Sequence, residues 1–124
     1  MPAITVTWGE LFDRIACLEV KLEKLDDAAS RATLEADLEI LRDVAQAGAP
    51  GAVHALAGEL AEVVRVLRDL DVRIGAYEKD ASFGSRYVEL SRSIREQERR
   101  RLDLRAGIDD LMADRRNKEE GRSV

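Results

Sequence analysis

The sequence predicts an all-α protein: an antiparallel bundle of about four helices whose last two form a long, coiled-coil-like hairpin. Three observations lead there. From about Pro50 to Asp80, Val53, Leu56, Leu60, Val63, Leu67, Leu70, Ile74 and Tyr77 alternate at spacings of 3 and 4, a rhythm sustained by a helix packed on another helix. Charged residues make up 36% of the chain and hydrophobic ones 45%, with aromatics at only 4%; long helices that pack along stripes have this composition. The apolar residues are also periodic, unlike those of a disordered chain.

Each element has its own signals. Ile4-Thr5-Val6-Thr7 behind Pro2 is a short β-branched alternation, expected to form an extended lead-in or a strand paired with a second chain. Thr7-Trp8-Gly9-Glu10 fits a capping box, Thr7 as N-cap and Glu10 reaching back to its amide. The first helix then sets Trp8, Leu11, Ile15, Leu18, Leu22 and Leu25 on one seam. Asp26 and Asp27 oppose the helix dipole at its end, so a break is expected there.

Ser30 is the candidate N-cap of the second helix, whose apolar face is Leu34, Leu38, Leu41 and Ala45, widened by Ile40 and Val44. Gly48-Ala49-Pro50-Gly51 supplies a glycine C-cap and a proline restart. After the long third helix, Ser82-Phe83-Gly84-Ser85 reads as a turn into the last one. Its seam is Tyr87, Leu90, Ile94, Gln97, Arg101, Leu104, Ile108 and Leu111, with two polar residues in succession. The tail past Asp114 is expected to fray. The chain thus divides into one helical domain, 1–118, and a flexible tail, 119–124.

The charge balance narrows the function. A net charge of −5 argues against nucleic-acid and anionic-membrane partners. The excess is uneven, because residues 85–124 are net basic and residues 1–84 strongly acidic. Such asymmetry orients two chains antiparallel or offers a basic end to an acidic partner. With Cys17 as the single cysteine, no intrachain disulfide forms, and a reducing, cytoplasmic setting is predicted. The N-terminus lacks signal-peptide character, and no segment approaches the roughly 20 apolar residues of a membrane span.

Two polar constellations stand out. Gln97 and Arg101 interrupt the last seam. Either the helix rotates so that Leu102 and Leu104 take over while Arg101 snorkels outward, or a buried polar layer forms with Arg101 paired to Asp13 or Glu10. Glu10, Asp13, Arg14, Cys17 and Lys21 share a face of the first helix, by default a solvated one with i,i+4 pairs. Arg92, Arg95 and Arg99 form a row able to grip phosphates or carboxylates. Glu89, Glu96, Glu98 and Asp103 are interleaved, so intrahelical salt bridges are the expected state. His54 is the only histidine, and no metal-binding, phosphate-loop or nucleophilic constellation is present. No metal or cofactor is therefore expected.

Gly9-Glu10-Leu11-Phe12-Asp13-Arg14-Ile15 with Leu18-Glu19-Val20-Lys21 resembles the opening signature of a small uncharacterised bacterial family, all-helical and often encoded near genes for surface-polysaccharide synthesis and glycosyl transfer. Phe83-Gly84-Ser85-Arg86-Tyr87-Val88-Glu89-Leu90-Ser91-Arg92-Ser93-Ile94 and the tail Glu119-Glu120-Gly121-Arg122-Ser123-Val124 are similar to two later blocks of that family. The chain departs from it at Glu98-Arg99, where the family shows Asn-Asp two residues before an Arg that Arg101 matches, and at Val124, where the family ends on an aromatic. The resemblance implies a genomic neighbourhood and, because Glu10, Asp13, Glu19 and Lys21 match its signature, raises the weight of a shared polar site there; it implies no activity.

The expected function is that of a non-catalytic helical interaction protein, an accessory to surface-polysaccharide assembly. It is expected to homodimerise through residues 4–7 or a second apolar stripe, with a glycosyltransferase or another protein as partner. The alternative is a protein that binds, or an enzyme that acts on, a phosphorylated or nucleotide sugar. Glu10, Asp13, Lys21, Arg92 and Arg101 would then be its ligand-binding residues.

Overall fold

The computed structural model describes residues 7–122, apart from the side chains of 116–122, so residues 4–6 of the expected extended segment lie outside the described part. Four helices account for it: α1 (Trp8–Lys24), α2 (Ala28–Gly48), α3 (Gly51–Lys79) and α4 (Ser85–Arg122). No strand occurs among the described residues. The protein is an all-α bundle with a long C-terminal hairpin, and no helix is long and apolar enough to cross a membrane.

The helices form a stack. α3 and α4 pair antiparallel as the base, α1 lies in the groove between them, and α2 lies along α1 alone. Phe12 beside His54 and Glu23 beside Arg65 show α1 running parallel to α3. Gly9 at Asp109 and Asp13 at Arg101 show it antiparallel to α4. α2 returns antiparallel along α1, tying Arg42 to Glu19 at 3.1 Å.

The heptad seam of α3 forms the spine. Val53 and Leu60 are fully buried, and Val63, Leu67 and Leu70 nearly so. Ile108 of α4 and Val20 of α1 complete the centre, each fully buried side chain contributing about 1.5–3 kcal/mol. Farther along, Ile74 and Tyr77 of α3 and Tyr87, Leu90 and Ile94 of α4 are only half-buried. The cause is length: α1 ends at Lys24, opposite Arg65, while α3 continues to Lys79. Residues 66–79 extend roughly 20 Å farther at 1.5 Å per residue. The far end of the hairpin is therefore a two-helix arm.

Helix ends follow local chemistry, with three corrections to the sequence reading. Thr7 caps α1, its hydroxyl accepting from the Glu10 amide at 3.1 Å, but the Glu10 carboxylate faces Arg105 at 3.8 Å rather than completing a capping box. The N-cap of α2 is Asp27, not Ser30. Asp27 accepts from the Ser30 amide at 2.9 Å and from its hydroxyl at 2.6 Å, because a carboxylate one turn ahead outcompetes a hydroxyl already inside the helix. Gly48 is the last residue of α2 rather than a left-handed cap. Its lack of a side chain admits the Trp8 ring, since a Cβ at 48 would fall 2.6 Å from it. α4 runs to Arg122.

The α3–α4 turn is a Schellman closure. The Ser82 amide donates to the Tyr77 carbonyl at 2.8 Å and the Ala81 amide to that of Glu78 at 3.1 Å. The left-handed position falls on Ala81 (φ 54°) and not on Gly84, although glycine is the usual occupant.

Candidate functional site

The polar layer lies where α1 crosses α4. α4 does not rotate at Gln97 and Arg101, and Leu102 stays 59% exposed. Arg101 turns inward and grips Asp13 with both arms of its fork: Nε donates to Oδ2 at 2.7 Å and Nη2 to Oδ1 at 2.6 Å. Asp13 is the one buried charged side chain among the described residues, at 7% exposure. The Cys17 thiol, one turn along α1, donates to Asp13 Oδ1 at 3.4 Å and accepts from Arg101 Nη2 at 3.4 Å. Arg105, one turn along α4, stands 3.8 Å from both Asp13 and Glu10.

The approach of the two helices makes this possible. A Cβ on Gly9 would lie 2.5 Å from the Arg105 carbonyl oxygen, so glycine is required for α1 to come this close. The Gly9 amide, an unsatisfied donor of the first turn, donates to Asp109 Oδ1 at 2.8 Å. An acidic side chain from α4 thus caps the positive end of α1.

The electrostatics of the layer are balanced. Burial alone would push the Asp13 carboxyl up; the Arg101 hydrogen bonds and charge, helped by Cys17 and Arg105, outweigh it and hold Asp13 below the ordinary aspartate range. The same pairing holds the Arg101 guanidinium more firmly protonated than usual, against the effect of its burial. Burial, then the negative charge of Asp13, pushes the Cys17 thiol up, which makes it a weak nucleophile. No buried side-chain polar atom among the described residues lacks a partner. The layer is a closed network.

The sequence-nominated residues do not converge on one site. Glu10, Asp13 and Arg101 come together, with Gln97 half-buried one turn away and outside the hydrogen-bonded set. Lys21 is exposed two turns along α1. Arg92 lies about two and a half turns from Arg101, which puts it on the outward side of α4, where it is exposed. The intrahelical salt bridges expected for the arginine row are absent: Arg92, Arg95 and Arg99 make no ion pair among the described residues, whereas Arg86 pairs with Glu89 and Arg100 with Glu59.

Sequence reasoning missed Asp109, which sits one turn beyond Arg105 and so continues the face that meets α1. It also missed an apolar cleft of about 250 Å³ between α1, α2 and α3, floored by Phe12 and Ile15 and walled by Ala45, Ala57 and Ala61. His54 is exposed at its edge, its ring edge-on to Phe12 at 5.8 Å. No cluster of three potential metal ligands occurs among the described residues. No protein-family model, curated protein or solved structure matches this chain.

Proposed function

We propose that this chain is a non-catalytic helical interaction protein that holds a protein partner along the α3–α4 arm. The observation that carries this reading is the fall in burial along one uninterrupted seam. Val53, Leu60 and Leu67 are covered on all sides, whereas Ile74, Tyr77, Tyr87 and Leu90 are half-exposed beyond the end of α1. Two helices bury only one stripe of each other, and a third completes the core, as α1 does at the other end. Leu70, Tyr77 and Leu90 floor a groove on the arm, with Arg73, Arg86 and Glu89 at its rim, a form suited to an amphipathic helix with a mixed-charge border.

An accessory role in surface-polysaccharide assembly, in the cytoplasm and with a glycosyltransferase as partner, is the second half of the proposal. It rests on the family resemblance of the Gly9–Lys21 and Phe83–Ile94 blocks. The pairing of Arg101 with Asp13 weighs against the ligand-binding alternative, because a phosphosugar would have to displace a bidentate carboxylate already in place.

A photo-crosslinking residue at Leu90, compared with one at exposed Asp26, tests the reading in the native host. Capture of a glycosyltransferase or another polysaccharide-assembly protein from Leu90 and not from Asp26 is expected; equal capture from both, or none from Leu90, contradicts the arm as the docking element. Thermal stabilisation by nucleotide sugars that is lost on Arg101 or Arg92 substitution would favour the ligand reading instead.

A further inference from the structure

α4 carries a second stripe at heptad spacing on the side facing away from the bundle, α2 carries one on its flank beside α1, and the two stripes are complementary. On α2, Thr33, Asp37, Ile40, Val44 and Ala47 recur at 4, 3, 4 and 3, with Ile40 63% and Val44 51% exposed. Asp37 lies within it, Glu39 and Asp43 border it on one side and Arg14 of α1 on the other; the three carboxylates are exposed and none is in an ion pair among the described residues. The basic residues of α2 are engaged elsewhere, Arg42 with Glu19 and Arg31 with Glu35 and the Leu22 and Leu25 carbonyls.

On α4, Val88, Arg92, Arg95, Arg99 and Leu102 recur at the same spacings. Val88 and Leu102 are exposed, and the three guanidinium groups are without ion pairs among the described residues. Glu96 and Asp103 lie to one flank of this row. Each stripe sets like charges three or four residues apart, as in Arg92–Arg95–Arg99 and Glu39–Asp43, a spacing at which they repel, although Glu96 and Asp103 stand at the same spacings from Arg92 and Arg99. An opposite stripe relieves both at once, with the arginine stems lying over Ile40 and Val44 and the guanidinium groups reaching the carboxylates.

We propose that a second copy of this chain docks here, the acidic, apolar flank of α2 of one copy seating on the arginine row of α4 of the next. α4 meets α1 at Asp13 and α2 meets it at Leu18; the α4 stripe points away from α1, whereas the α2 stripe lies on the flank where Asp37 and Ile40 share a shallow cleft with Arg14 and Leu18. The contact joins two unlike surfaces and is therefore head-to-tail, and the homodimer it builds keeps a free α2 flank at one end and a free α4 row at the other. The contact uses a different face from the groove of the arm, so it stands apart from the partner proposed above.

Sedimentation of the full chain tests this over roughly 0.01 to 1 M salt, a range that shortens the Debye length from about 30 to about 3 Å. The expected result is a mass that rises with concentration at low salt and falls to the monomer at high salt. Two variants at exposed positions separate the stripes: Arg92→Gln/Arg95→Gln/Arg99→Gln and Asp37→Asn/Glu39→Gln/Asp43→Asn, each checked for an unchanged helical spectrum. Each alone is expected to associate at least roughly tenfold more weakly. Mixed together they form a dimer that grows no further, since one supplies an intact α2 and the other an intact α4. A wild-type monomer at every concentration in low salt, undiminished association in either variant, or a mixture that stays monomeric would each overturn the proposal.

Discussion

Replacing Arg101 by Leu is the most informative single change in the polar layer. It removes the two short hydrogen bonds to Asp13 and leaves a carboxylate that is only 7% exposed. Breaking a buried pair from one side costs about 3–5 kcal/mol. Two features lower that figure here: the Arg101 side chain is 25% exposed, so water already screens part of the pair, and Arg105 is 3.8 Å away and able to close in. The expected loss is about 2–3 kcal/mol.

Replacing both Asp13 and Arg101 by Leu removes the desolvation cost together with the attraction and is expected to fall within about 1 kcal/mol of wild type. Urea denaturation of the four proteins at neutral pH then yields a coupling energy of about 2 kcal/mol or more. The pH dependence has a definite sign. Because the folded-state pKa of Asp13 is lowered, the contribution of the pair is fully present above the ordinary aspartate range and is lost as pH falls through the lowered value. The gap between wild type and Arg101→Leu should therefore close in strong acid. A coupling below about 0.5 kcal/mol, or a gap that persists in acid, would refute the reasoning.

Other expectations follow from single contacts. Gly9→Ala forces a methyl against the Arg105 carbonyl and should cost about 1–3 kcal/mol despite the better helix propensity of alanine. Gly58→Ala meets nothing within 4 Å and should stabilise by about 0.5–1 kcal/mol; thermal melts of the two should move in opposite directions. Ala81→Gly relieves the left-handed alanine and should raise stability by about 1 kcal/mol in urea titrations. Asp27→Ala removes both bonds to Ser30 and should lower it by about 1 kcal/mol, visible as loss of amide-exchange protection in the first turn of α2.

The parts of this fold set by periodicity were legible in the sequence. Eight seam residues of α3 at 3 and 4 spacing specify its length and inward face, and the break after Leu25 is where the two aspartates place it. The pairing of Arg101 with Asp13 was one of the readings the sequence left open, beside pairing with Glu10 and outward snorkelling; periodicity marks the charged seam position, and only the facing helix decides between them. What periodicity does not carry is which helix faces which. The stripe of α2 reads the same whether it covers one neighbour or three, so the open cleft beside Ala45 and Ala57 was hidden. Close approaches are non-local too: nothing around Gly9 announces the Arg105 carbonyl, and nothing around Asp109 announces the Gly9 amide. Cap assignments failed at Ser30 and Gly48 because several residues there are good caps, and the choice depends on geometry one turn away.

The central proposal is that the arm holds the partner, while the polar layer acts only within the bundle where α1 crosses α4. Partner capture from a crosslinker at Leu90 tests it directly in two backgrounds. In Asp13→Leu/Arg101→Leu, which keeps the stack and abolishes the charges, capture should match wild type. In Arg73→Glu/Arg86→Glu, which reverses two exposed charges at the groove rim, capture should be lost with stability retained. Capture lost in the first background and kept in the second would contradict the account.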